Sequence, residues 1–125
     1  MNTILAVAAG GALGCVARHG VNLAAARWLG MSFPWGTLLV NILGSLILGA
    51  LIEMLALRAE MSQQWRSFVG TGFCGGLTTF SAYCADIVLL AERQQFALAG
   101  AYAAGSVVVG VGSFLAGMAL MKAVL

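Results

Sequence analysis

Seven residues carry neutral hydrogen-bond donors inside or beside long apolar runs: Asn41, Thr78, Thr79, Ser81, Tyr83, Tyr102 and Ser106. Amide and hydroxyl groups hold an ion by their dipoles rather than by a fixed charge. The four acids, Glu53, Glu60, Asp86 and Glu92, are scattered, and only Asp86 falls well inside an apolar segment. The single histidine, His19, falls near the end of its segment. The sequence therefore holds no Ser-His-Asp or Cys-His arrangement, no paired carboxylates, no metal-ligand cluster and no phosphate-binding glycine motif after a strand. Enzyme chemistry is disfavoured. Donors without many mid-membrane cations suit a small, strongly hydrated anion that must move on rather than stick. Weakly positive aromatic ring edges extend the same donor set.

The elements that position these donors are membrane spans. Of 125 residues, 62% are hydrophobic and only 8% charged, against roughly 25% charged in a soluble domain. A soluble fold of this length could not bury so much apolar surface, and the mean hydropathy is +1.00. Net charge is +2 with no basic cluster, so nucleic acid is not an expected partner. Cys15, Cys74 and Cys84 all fall in apolar surroundings. An odd count without ligand spacing gives neither a disulfide framework nor a zinc site. The first residues lack the basic start of a secretory signal, and apolar patterning continues past any cleavage point.

About 20 predominantly apolar residues cross a bilayer. Four such spans are expected, at about Thr3 to Leu29, Pro34 to Leu57, Trp65 to Ala91 and Phe96 to Val124, in one domain covering 1–125. Pro34 suits the first turn of its helix. Arg58, Glu60, Gln63, Gln64 and Arg66 make a polar connector, and Glu92 to Gln95 make the next turn. The third span contains the glycine- and hydroxyl-rich run Gly72 to Tyr83 and is expected to break near Cys74 to Thr79. Irregular backbone at membrane depth is tolerated only where it is buried in protein or lines a cavity. Unwound carbonyls and half-helix ends there are ready-made ion ligands.

Orientation follows from the basic residues, which normally collect on the cytoplasmic side. Arg58, Arg66 and Lys122 share one side, and Arg18, Arg27 and Arg93 the other. The tie predicts dual topology, with copies inserted both ways and an antiparallel homodimer. Stripes recur within the spans. Gly10, Gly14, Arg18 and Asn22 repeat every four residues on the first, Thr37, Asn41 and Ser45 on the second. Tyr102, Ser106, Gly110, Ser113 and Gly117 follow one face of the fourth. Small residues at such spacing allow close helix packing. Arg18 has two open readings, snorkelling to headgroups and facing a vestibule where it attracts anions. Asn41 likewise either bonds a neighbouring helix or offers its N–H groups to an anion.

Three segments in order resemble the bacterial CrcB/Fluc family of fluoride channels, over essentially the whole chain. They are Gly10-Gly11-Ala12-Leu13-Gly14 with Arg18, Asn41-Ile42-Leu43-Gly44-Ser45 with Gly49, and Gly72 to Tyr83. The resemblance implies an all-α membrane protein of four helices, the third broken, forming an antiparallel dual-topology homodimer with two fluoride pores. It implies that Asn41 and Phe80 line a pore, with the Phe80 ring edge toward the ion. Tyr83 stands where the family usually carries a second phenylalanine, and Leu46 replaces a phenylalanine common after the serine. Tyr102 and Ser106 match polar positions of the fourth helix. Thr37 and Ser81 complete the expected pore set, and Arg18 draws anions to the vestibule. Gly75 and Thr78 match residues whose backbone carbonyls hold a central sodium ion. The implied activity is passive fluoride efflux across the bacterial inner membrane. Two rivals are a small multidrug-type exchanger and a purely structural membrane module. The exchanger needs a carboxylate on the first span, which here carries only Arg18 deep within it; the structural module leaves the break without purpose.

Overall fold

In the computed structural model, which describes residues 2–57 and 60–125, the chain is an up-and-down arrangement of helices. The first, α1 (Thr3–Leu29), starts where the Asn2 side chain accepts a hydrogen bond from the Leu5 N–H at 2.8 Å. It ends at Gly30, whose φ of 85° is left-handed backbone that suits glycine. Helix α2 (Trp35–Leu57) follows Pro34, whose carbonyl accepts from the Leu38 N–H at 3.2 Å. The third span is made of α3 (63–77) and α4 (Ser81–Glu92), and α5 (Phe96–Val124) closes the bundle. Four spans of 27, 23, 30 and 29 residues are long and apolar enough to cross a membrane. The chain is a multi-pass membrane protein.

Two expectations need adjustment. Gln63, Gln64 and Arg66 are helical rather than connector, because Ser62 Oγ accepts from the Trp65 N–H at 3.2 Å and starts the helix early. Arg58, assigned to that connector, lies outside the described residues. The break is also shorter and later than Cys74 to Thr79. Gly75–Leu77 is helical, and only 78–80 is irregular, with Thr78 extended at φ −83° and ψ 157°. Before it, Ser67–Cys74 is π-helical, a wide winding often found at functional sites.

The interior mixes small side chains, Ala6, Ala25, Val40 and Ala99, with a few large ones, Leu77, Leu90 and Tyr102, whereas Ile4, Val16, Leu23, Val108 and Leu115 face outward. Lipid is as apolar as leucine, so helix association depends on close backbone contact. Glycine supplies it at two seams. A Cβ on Gly10 or Gly14 would run into the Phe68 or Phe73 carbonyl of α3. A Cβ on Gly49 or Gly117 would strike the Phe114 carbonyl of α5 or the Leu46 carbonyl of α2. Trp28, Trp35 and Trp65 are exposed at helix ends, where amphipathic rings sit at the headgroup level.

Candidate ion pathway at the break in the third span

The break is held open by one side chain. Asn41 of α2 accepts from the Thr79 N–H at 2.8 Å through Oδ1 and donates from Nδ2 to the Thr79 carbonyl at 3.2 Å. In a continuous helix the Thr79 N–H would bond to the Gly75 carbonyl, four residues back. Its capture by Asn41 leaves the last carbonyls of α3 among the orphaned groups of a helix end. The Cys74 carbonyl is the exception, accepting from both the N–H and the Oγ1 of Thr78 at 2.9 and 2.8 Å. On the far side, Thr79 Oγ1 accepts from the Ala82 N–H at 3.2 Å and starts α4. Gly44 makes room for this junction, since its missing Cβ would occupy the place of the Thr78 methyl.

A groove of about 590 Å3 runs along the break. Asn41, Gly75, Thr78, Phe80, Tyr83 and Ser106 all line it, so six of the expected site residues come together. The Ser106 Oγ is buried without a hydrogen-bond partner among the described residues, an arrangement that costs free energy in the absence of a ligand. Phe80 is 75% exposed, so its own chain does not cover its ring. The rings of Phe80 and Tyr83 lie 5.8 Å apart, and those of Tyr83 and Tyr102 5.4 Å apart, in tilted contact. The Tyr83 hydroxyl donates to the Ala103 carbonyl of α5. Its oxygen is committed to the fold, and the ring is what Tyr83 brings to the groove.

A model of the CrcB-like protein, Camphor Resistance (CrcB) family matches residues 5–118. The chain belongs to the CrcB-like family. It is 48% identical over 121 residues to a protein named fluoride-specific ion channel FluC from Nitrobacter winogradskyi, covering 97% of this chain and 96% of that one. Proteins of the same name from Granulibacter bethesdensis and Phenylobacterium zucineum are 47% and 44% identical. The first match covers 98% of this chain and 96% of its relative, the second 99% and 98%.

The other expected residues of this CrcB-like chain lie off the groove. Tyr102, 2% exposed, donates its hydroxyl to Asp86 Oδ2 at 3.0 Å. Thr37 is buried and lines a second cavity nearer the α1–α2 loop. Ser81 is exposed, with Oγ 3.5 Å from Thr79 Oγ1. Arg18 lines neither cavity, and its guanidinium contacts the Cys15 sulfur at 3.8 Å. The fourth-helix stripe divides: Ser106 faces the groove, Ser113 back-bonds to the Val109 carbonyl at 2.7 Å, and Gly117 packs on α2. Sequence reasoning treated Asp86 as a lone acid and missed its pairing with Tyr102. It named Thr79 among the neutral donors without finding its backbone pairing with Asn41. The π-helical winding left no signal in residue types.

Proposed function

We propose that this chain is a fluoride channel, an ion conductor and not an enzyme, that lets fluoride leave the cytoplasm passively across the bacterial inner membrane. The single observation that carries an ion path is the Ser106 hydroxyl, buried, unpartnered and lining the groove beside Asn41 and Phe80. The choice of fluoride rests on relatives of that name at 44–48% identity over nearly the whole chain. An Asn side chain has two N–H donors; Asn41 uses one on Thr79 and keeps one for the groove. Ser106 adds an O–H, and the ring edges of Phe80 and Tyr83 add weak positive potential. Fluoride is the smallest halide and the costliest to dehydrate, so donors replacing its water stepwise favour passage without trapping it. Thr37, Ser81 and Tyr102 extend the polar track, and Arg18 adds positive potential at longer range.

The groove is open on one side, which fits a second copy. An antiparallel dual-topology dimer, supported by the even tally of basic residues, gives two such grooves. A sodium ion on the dimer axis would be held by the backbone carbonyls of Gly75 and Thr78, at the helix end from which Asn41 diverts the Thr79 N–H. Hard cations take oxygen ligands of this kind, so the donor set fits. The ion would supply the charge that carbonyls at an unwound helix end lack.

Efflux of fluoride from loaded liposomes carrying the purified protein tests the reading. Rapid loss of fluoride with retention of chloride is expected. Equal passage of both halides, or proton-coupled uptake of an organic cation without fluoride loss, would discard it.

A further inference from the structure

The second cavity, about 370 Å3, lies where α1 and α4 end and α2 begins. Its lining includes Asn22, Thr37, Ala82, Asp86 and Arg93. The groove at the break has no charged side chain in its lining, whereas this cavity has two of opposite sign. Cavity and groove adjoin: Ala82 lines one and its neighbour Tyr83 the other, and the Tyr83 ring packs on Tyr102, whose hydroxyl bonds Asp86. An anion using this mouth would meet a carboxylate. The hydrogen bond from Tyr102 reduces that field without cancelling the charge. The C-termini of α1 and α4 and the N-termini of α2 and α5 meet at this end, so their opposed dipoles largely offset each other and leave Asp86 and Arg93 as the fixed charges of the lining.

Arg93 follows Asp86 by seven residues, two helical turns, and therefore stands on the same face, about 10 Å further along. Its side chain is exposed. Asp86 and Arg93 form no ion pair among the described residues, so the guanidinium acts through space rather than by contact. Neighbouring Glu92 and Arg27 stand at the same end, and neither lines the cavity.

We infer that Arg93 offsets the charge of Asp86 within the second cavity and so keeps this mouth open to anions. The inference rests on the fluoride-channel reading. At low ionic strength the Debye length is about 30 Å, and at 1 M salt about 3 Å. A through-space role therefore vanishes with salt, and a role in capping α4 does not.

Fluoride efflux from liposomes is measured with the full chain at about 0.01 M and about 1 M of an impermeant salt. Arg93→Gln should slow efflux about two- to threefold at low salt, as expected for one charge at such range in water, and leave it near normal at high salt. Arg93→Lys should retain the parent rate, Asp86→Asn alone should raise low-salt efflux, and the double variant D86N/R93Q should recover the parent rate. Arg27→Gln should change little. A salt-independent loss in R93Q, an equal loss in R27Q, or a double variant as slow as R93Q overturns the inference. Asp86→Asn without a gain at low salt does so too, even if R93Q fails to fold. A parent chain that passes no fluoride instead removes the channel reading on which the inference rests.

Discussion

Gly75 and Gly76 are neighbours in sequence and opposites in structure. A Cβ on Gly76 would press on the Gly11 carbonyl of α1, whereas one on Gly75 meets nothing within 4 Å. The contrast extends to the regions around them. The seam of α1 on α3 is backbone against backbone, built from Gly10, Gly14, Gly72 and Gly76, and it is closed. The contact of α2 with the break is a polar exchange between Asn41 and Thr79 beside an open groove. Glycine in the first region brings helices together; in the second it leaves space. A small residue therefore has no functional meaning until the atom facing it is known.

Loading the closed seam gives the largest effect. Gly14→Val would drive a side chain into the Phe73 carbonyl and the Leu77 backbone nitrogen. Overpacking of this kind costs about 1–3 kcal/mol or more, with backbone rather than flexible side chain on the receiving side. Loss of a monodisperse species in detergent is expected, and with it all fluoride flux. A variant that stays folded and conducts would show that α1 and α3 sit further apart than described.

At the polar contact, fold and flux part company. Asn41→Asp keeps the acceptor for the Thr79 N–H, but it sets a carboxylate against the Thr79 carbonyl and places negative charge in the groove. A thermal melt should register about 1–3 kcal/mol of lost stability, and efflux should fall by at least about a hundredfold through charge repulsion alone in a low-dielectric site. Ser106→Ala acts in the opposite sense on stability. It removes a buried unpaired hydroxyl, which should raise stability by up to about 1 kcal/mol. Efflux should still drop about tenfold, since a hydrogen bond to a charged group contributes about 1.5–3 kcal/mol. A stabilised variant with unchanged efflux would take Ser106 out of the path.

The spans were legible because length and hydropathy alone define them. Pro34, Gly30 and the turn at Glu92 to Gln95 punctuate the chain where the helices end or begin. The break was legible as a region but not as a position. Gly75 and Gly76 look like helix breakers, yet both are helical, and the chain unwinds only where Asn41, 38 residues away, captures Thr79. Residue type announced that Asn41 and Ser106 could donate; only packing shows that one is partly spent and the other free. Tyr83 is the reverse case, its hydroxyl turned to Ala103 and its ring left for the groove. The four-residue stripe of Gly10, Gly14, Arg18 and Asn22 divides: the glycines pack on α3, Asn22 packs on Gly36 and lines the second cavity, and Arg18 lines neither cavity.

The finest test of the contrast uses the smallest side chain. Alanine is favoured over glycine inside a helix by roughly 0.5–1 kcal/mol, so Gly75→Ala should leave the fold of a single copy as stable as before or slightly more so. Gly76→Ala should destabilise it, because its methyl meets backbone. The two variants therefore separate on a melting curve although they differ by one position. Open space beside Gly75 then has two meanings. If lipid fills it, a methyl group is harmless and the dimer is unchanged. If a second copy approaches there around a sodium ion, the methyl group crowds the axis, and dilution in detergent should release monomer at a few-fold higher protein concentration, with weaker protection by added sodium. A Gly75→Ala protein with parental melting, parental association and parental sodium response would move the axis elsewhere.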